Sequence, residues 1–322
     1  MDLNIGPLLE SEIPAADRIF RLAFGTRNGL PDPMKFDGDA ARIKTRFYSG
    51  AVTAIGARVD GELVGSAFAT WWGSFTWLGP LSVHPDLWNS GIAQRLLESA
   101  LPVLDRRSRH LALYTVAESP KHIGLYMKFG FWPGFLTPVM EKPVTNGGRR
   151  QEAGGRRGDS PRYSGFSQAS GDEKKIYLDQ CRDIASSMHE GLDLSDEIRS
   201  GENQRLGDTI LVSGDRGPMA FAVVHLGAGT EAGSNTAYVK FAAVRPGPRA
   251  GECFDRLLAA CEHLAAQRGM SRLVAGVNTG RRGAYSGMLG RGFRAIMQGV
   301  AMHRPDDPGY DRPDAYAIDD WR

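Results

Sequence analysis

The chain has 322 residues, of which 42% are hydrophobic and 24% charged, and its formal net charge is +2. That length exceeds one ordinary core and suits two domains. The balance is that of a globular protein, and the near-neutral charge offers no field to gather nucleic acid or an anionic membrane. Cys253 and Cys261 fall on one predicted helix, about 12 Å apart along its axis and too far to bridge. With Cys181 they read as free thiols in a reducing cytoplasm. No metal-ligand spacing occurs. No apolar run reaches the roughly 20 residues of a membrane span, and Met1-Asp2-Leu3-Asn4 lacks the basic start of a secretory signal.

In chain order, residues 13–24 predict an amphipathic helix, with Pro14 in its first turn and Ile13, Ala16, Ile19, Phe20, Ala23 and Phe24 on one face. Gly25–Pro33 is rich in turn formers and reads as a loop, either a plain connection or a lid on the acceptor side. Residues 40–48 suggest a short helix. Residues 51–59 and 63–72 predict a hairpin about Asp60-Gly61, and 77–84 the next strand. A helix over 91–104, a strand over 110–116, a helix over 119–129 and a strand over 135–140 follow. The aromatic run Trp71–Trp77 fits either an amine pocket or a packed bulge.

Residues 144–171 hold seven glycines and five arginines and read as a flexible linker. Arg162–Phe166 is a candidate last strand for the first domain. Beyond the linker come a helix (172–189), a hairpin (210–213 and 219–226), a strand (238–244), a helix (252–268), a strand (272–277), a short helix (283–290) and extended runs at 294–303 and 315–320. The last run is expected at a sheet edge, with Asp319 and Asp320 on a solvated surface.

The element order repeats, and so do residues. Leu81-Ser82-Val83-His84-Pro85 aligns with Ala242-Ala243-Val244-Arg245-Pro246 at an offset of 161, as Leu96-Leu97 does with Leu257-Leu258. At an offset of 162, Gly130-Phe131 meets Gly292-Phe293 and strand 110–116 meets 272–278. This register indicates two similar domains. The expected division is an N-terminal domain over 1–142, a linker over 143–171 and a C-terminal domain over 172–322.

The stretch 81–97 carries the chemistry. An apolar strand ends at Pro85, a polar turn follows, and Gly91 opens a helix whose first amides lack internal partners. Such a helix start favours phosphate. Val83-x-Pro85-x-x-Trp88-x-x-Gly91-Ile92-Ala93, followed by Leu96-Leu97, resembles the acetyl-CoA-binding motif of the GCN5-related N-acetyltransferase (GNAT) superfamily. Leu125–Phe131, with Tyr126 five residues before the Phe of Gly130-Phe131, resembles its later signature. The resemblance spans nearly the whole chain as two tandem domains. It implies an α/β fold, each domain a mixed twisted sheet with helices on both faces. It also implies direct acyl transfer from acetyl-CoA, as cosubstrate, to a primary amine on a small molecule or a protein.

Under that resemblance Leu81 and Val83 face the pantetheine arm, and Asn89, Ser90, Gly91, Ile92 and Ala93 cradle the pyrophosphate. Trp88 stands where the family carries Gln or Arg. Tyr126 resembles the general acid, and Glu118 and His122 flank the strand end that faces the cofactor and are candidate bases. In the second copy Glu252 and Phe254 replace Gly91 and Ala93 in register, and Met288 replaces Tyr126. This favours catalysis in the first domain and a degenerate second one. Arg249-Ala250-Gly251, as a shifted loop, together with Tyr285, is the sequence's argument for a working second site. A non-catalytic acyl-CoA-binding module is the other reading.

Overall fold

The structure, a computed structural model, describes residues 2–144, 162–214 and 217–319. The first half runs β1 (Leu3–Pro7), α1 (Ile13–Arg27), α2 (Arg42–Phe47), β2 (Val52–Val59), β3 (Glu62–Trp72), β4 (Phe75–Val83), α3 (Ile92–Asp105), β5 (His110–Val116), α4 (Pro120–Met127) and β6 (Trp132–Pro143). The second runs β7 (Ser164–Gly165), α5 (Gly171–Met188), α6 (Ser195–Asn203), β8 (Gly207–Gly214), β9 (Gly217–Leu226), β10 (Thr236–Val244), α7 (Ala250–Gln267), β11 (Arg272–Gly276), α8 (Arg282–Gly290), β12 (Arg294–Arg304) and β13 (Ala317–Ile318). The repeat survives in three dimensions. β4 and β10 superpose in sequence at an offset of 161, and β5 and β11 at 162. The fold is mixed α/β.

The halves do not close into separate sheets. Strand order is β1-β2-β3-β4-β5-β12-β6-β11-β10-β9-β8-β7, so each half's last long strand crosses to the other. β12 pairs with β5 (Gly299 opposite Val116), β6 pairs with β11 (Met140 opposite Ala275), and β6 and β12 pair with each other. Thr137 lies opposite Gly299, its own counterpart at an offset of 162, so a pseudo-twofold axis passes between them. A cut at residue 142 would leave β5 without β12 and β11 without β6.

Helices cover both faces because their apolar stripes match the sheet's. Leu96, Leu97, Ala100, Leu101 and Leu104 of α3 pack on β3–β5, and Phe254, Leu257, Leu258, Cys261 and Leu264 of α7 do the same in the second half. Trp72, Phe75 and Trp77 join Leu178, Ile184 and Leu211 in a core shared by the halves. Trp71–Trp77 is therefore packing, not an amine pocket. Burying rings of this size is worth roughly 2–3 kcal/mol each.

Several expectations change. α1 runs on to Arg27, through Gly25, because a Cβ there would fall 2.3 Å from the carbonyl oxygen of Pro33, and only glycine lets the loop fold back so closely. β6 begins at Trp132 rather than 135. β1 and α6 have no counterpart in the sequence reading. Of the expected linker, 145–161 lie outside the described residues, and Ser164–Gly165 pairs with Leu211–Ile210 of β8, in the second half rather than the first. Asp319 is buried against Arg281, not solvated. Asp320 lies outside the described residues. Among the described residues, no helix is long and apolar enough to cross a membrane.

Candidate active site

β4 runs parallel to β5 only from Phe75 opposite His110 to Leu78 opposite Leu113. A bulge between its partners Ala67 and Ala69 on β3 turns it away there, at Gly79-Pro80. From Gly79 to Val83 its edge on the β5 side carries no strand among the described residues, while β3 holds the other edge. The result is a slot, open along β4 and closed at its vertex by the Leu78–Leu113 pair.

The slot's mouth is the predicted phosphate loop. Pro85–Leu87 forms a 3-10 turn, Asn89 has φ +68°, and Gly91 caps α3 at φ +83°. No side chain caps the helix, so the amides of Ile92, Ala93 and Gln94 point outward with the helix dipole behind them. A Cβ on Gly91 would meet nothing within 4 Å, so glycine is required here by its positive φ and not by crowding. Asn89, Ser90 and Gly91 are exposed, Ala93 is half-buried, and Ile92 sends its side chain into the core. Ser90 Oγ donates to the Leu87 carbonyl at 2.5 Å, and Lys121 Nζ donates to Asn89 Oδ1. Trp88 donates its indole N–H to the Val83 carbonyl at 2.8 Å, pinning the loop to the end of β4. Its indole N–H is spent on the turn while the ring stays partly exposed, which gives Trp88 a role other than the one the motif's Gln or Arg would have.

At the other lip, β5 ends beside α4. The Ser119 side chain accepts from the His122 amide and Pro120 opens the helix, which fixes the orientation of α4. His122 and Tyr126 are one turn apart on it. Burial, with Arg27 and Lys121 nearby, lowers the His122 pKa, so its imidazole is neutral at neutral pH. Glu118 is mostly exposed, and Arg27 Nη2 donates to it at 3.2 Å. Its pKa is lowered, first by its own backbone N–H and then by Arg27, leaving an ionised carboxylate of little basicity. Burial pushes the Tyr126 phenol up to about 12, so it keeps its proton. Its ring packs edge-on against Phe131 at 6.3 Å. Arg27 and Lys121 are candidate site residues the sequence reading missed. Arg27 and Lys121 reach the site only because α1 and α4 flank it.

The equivalent slot in the second half is filled. β13 pairs antiparallel with β10, Ile318 opposite Ala242 and Ala317 opposite Ala243. These are the counterparts of Leu81 and Ser82. α7 begins at Ala250 without a left-handed glycine, Arg249 pairs with Glu252 at 3.0 Å, and the Tyr316 hydroxyl lies 3.0 Å from where a Cβ of Gly251 would stand. Asn278 bonds Asp311 and the Gly280 amide instead of facing a slot. The shifted loop is therefore covered by the chain's own C-terminal segment.

Residues 19–131 match the profile of the acetyltransferase (GNAT) family. That segment, a little over a third of the chain, is where the likeness to a GNAT domain lies. Solved structures extend this fold over the second half as well. A candidate acetyltransferase from Pyrococcus horikoshii aligns at 15% identity over 99% of this chain and 95% of its own, with a TM-score of 0.67. A GCN5-related N-acetyltransferase from Sphaerobacter thermophilus aligns at 14% over 94% and 95%, with a TM-score of 0.60. A tandem GNAT protein from the clavulanic acid biosynthesis pathway aligns at 14% over 94% and 98%, with a TM-score of 0.55. At these identities the likeness is one of fold. Curated proteins give no significant match. The fold of these two-domain structures thus extends over the chain, and its open slot lies in the half that the family profile matches.

Proposed function

We propose that the protein transfers an acyl group directly from acetyl-CoA to a primary amine, and that the first of its two GNAT-like halves, ending near residue 142, does so. The carrying observation is the difference between the two slots: open along Gly79–Val83, and filled by β13 along Ala242–Ala243. A pantetheine arm needs a strand edge with free backbone groups, as an added strand does. Leu81 and the Val83 amide present that edge, the Val83 carbonyl being taken by Trp88, and the outward amides of Ile92 and Ala93, with Gly91 before them, suit a pyrophosphate beside Asn89 and Ser90. Lys121 adds a cation there, and Trp88 holds the loop to the strand.

Bound acetyl-CoA supplies an activated thioester. The chain does the rest. His122, neutral and half-buried, takes a proton from the incoming ammonium, directly or through water. Tyr126, kept protonated by burial, delivers a proton to the departing sulfur. Glu118, held ionised by its own backbone N–H and then by Arg27, attracts and orients a cationic amine at the mouth. The acceptor is a small-molecule or protein amine, and a cytoplasmic location fits three buried free cysteines.

Calorimetry with acetyl-CoA tests the binding half of this reading, with one site per chain expected. Thiol release across phenethylamine, spermidine and a lysine-containing peptide tests the transfer. Binding without thiol release from a broad amine panel would favour the non-catalytic module, and two sites per chain would restore the second half.

A further inference from the structure

The vertex of the open slot is braced from behind by the other half of the molecule. With the pyrophosphate beside Asn89–Ala93, just past the C-terminal end of β4, a pantetheine arm runs back along Val83 and Leu81. Its acyl end then stops where the slot closes, at Gly79, next to the Leu78–Leu113 pair. Arg46 of α2 stands there, 1% exposed. Its Nη1 donates to the Gly79 carbonyl at 2.8 Å, and its Nε and Nη2 donate to Glu231 Oε2 at 3.3 and 3.1 Å. Glu231 belongs to the β9–β10 loop of the second half and is itself 1% exposed. Its other oxygen accepts from Lys240 Nζ at 2.6 Å, and Lys240 in turn faces Glu197 at 3.2 Å.

We propose that Arg46 is a positioning residue for acyl transfer, holding the Gly79 peptide at the head of the slot, and that Glu231 of the second half sets where Arg46 stands. This rests on the reading of the first half as the acyl-CoA site. Three observations carry it. The guanidinium is a rigid fork, with one donor on the site strand and two on the second half, a geometry that a lysine cannot copy. Lys240 is the counterpart of Gly79 at an offset of 161 and sits at the bulge of β10, between Val239 and Phe241. One carboxylate therefore holds both the cation behind the open vertex and the cation that stands on the second half's strand where the first has Gly79. Burial alone would raise the Glu231 carboxyl, but Arg46 and Lys240 hold it well below its usual range, so the brace stays charged. The second half then has a task beyond bulk: it stiffens the strand on which the thioester rests.

The test compares Arg46→Lys and Glu231→Gln with Asp39→Asn in the full chain. Asp39 accepts from the Ser234 amide at 2.8 Å across the same interface but does not touch Gly79. Rates are taken with acetyl-CoA and whichever panel amine releases thiol fastest, and kcat is counted per acetyl-CoA site titrated by calorimetry. Misplacing a reacting group by about 1 Å can cost about 100-fold. The expected result is a fall in kcat of at least about tenfold for the first two variants, with acetyl-CoA Kd within about threefold and Asp39→Asn unchanged. Equal losses in all three variants, an unchanged kcat in Arg46→Lys, or loss of acetyl-CoA binding in Arg46→Lys would each overturn the positioning role. Failure of the unmodified protein to bind acetyl-CoA would overturn the site assignment itself.

Discussion

Ile318 lies opposite Ala242 in β10, on the edge that Leu81, the counterpart of Ala242, leaves open in β4. The segment that brings Ile318 there is held by buried charge. Arg281, fully buried, donates to Asp311 Oδ1 at 2.8 Å, to the Ala317 carbonyl at 2.6 Å and to Asp319. Removing one partner leaves the others unpaired in the interior, which costs about 3–5 kcal/mol. Arg281→Met is therefore expected to lower the urea midpoint sharply with acetyl-CoA affinity unchanged. An unchanged midpoint would mean that this cluster does not hold the segment.

Gly91 and Trp88 separate two contributions to the proposed phosphate loop. Gly91→Ala puts a Cβ at φ +83°, at a cost of about 1 kcal/mol or more, and should weaken acetyl-CoA binding by at least about fivefold. Trp88→Phe removes the donor to Val83 and should cost about 1 kcal/mol of loop order, felt as a several-fold rise in Kd. Calorimetry on the two variants reads both effects, and wild-type affinity in Gly91→Ala would remove the loop from the site.

Tyr126→Phe deletes the hydroxyl and keeps the ring against Phe131. The expectation is a loss of about 10²–10⁴ in kcat with little change in acetyl-CoA Kd. Unaltered turnover would leave the tyrosine a packing residue. His122→Gln should abolish the acid limb of the pH–rate profile. That limb falls below the ordinary histidine value because burial lowers the His122 pKa.

His110 gives the fold a sensitivity to acid. It is buried, stacked on Phe75 at 4.5 Å and hydrogen-bonded to His303 at 2.9 Å. Burial, with His303 and His189 beside it and Asp307 and Asp311 opposing, lowers its pKa to about 3. The unfolded chain takes up a proton near pH 6.5 that the folded state refuses until about 3. The stability this group contributes is complete above pH 6.5 and is lost as pH falls toward 3. The slope is at most about 1.4 kcal/mol per pH unit. Urea unfolding at pH 7, 6 and 5 should show the decline, and His110→Phe should flatten it.

Much of this was legible in the sequence because it is local. Helical and alternating periodicity placed α3, α7, β4 and β10, and the offset of 161–162 exposed the repeat before any contact was known. Turn chemistry located Gly91, and Glu252 and Phe254 marked the second loop as altered. α6 escaped because its apolar face is one residue, Ile198, among polar neighbours. β1 is a short strand that pairs with β2, about fifty residues further along the chain.

The tertiary structure alone decided which strand edges close on which. β6 and β12 read as ordinary final strands, and nothing in their periodicity says that each completes the other half's sheet. Ala317-Ile318 is a two-residue strand, and only the splay of β10 from β11 makes a place for it. Trp71–Trp77 reads equally as pocket or core until α5 and α6 are packed on it, and Arg46 is one arginine among many until the fold sets it between Gly79 and Glu231. Periodicity and turn propensity act between neighbours in the chain. Edge pairing and the partnering of buried charge depend on groups tens to hundreds of residues apart, which meet only when the whole sheet closes.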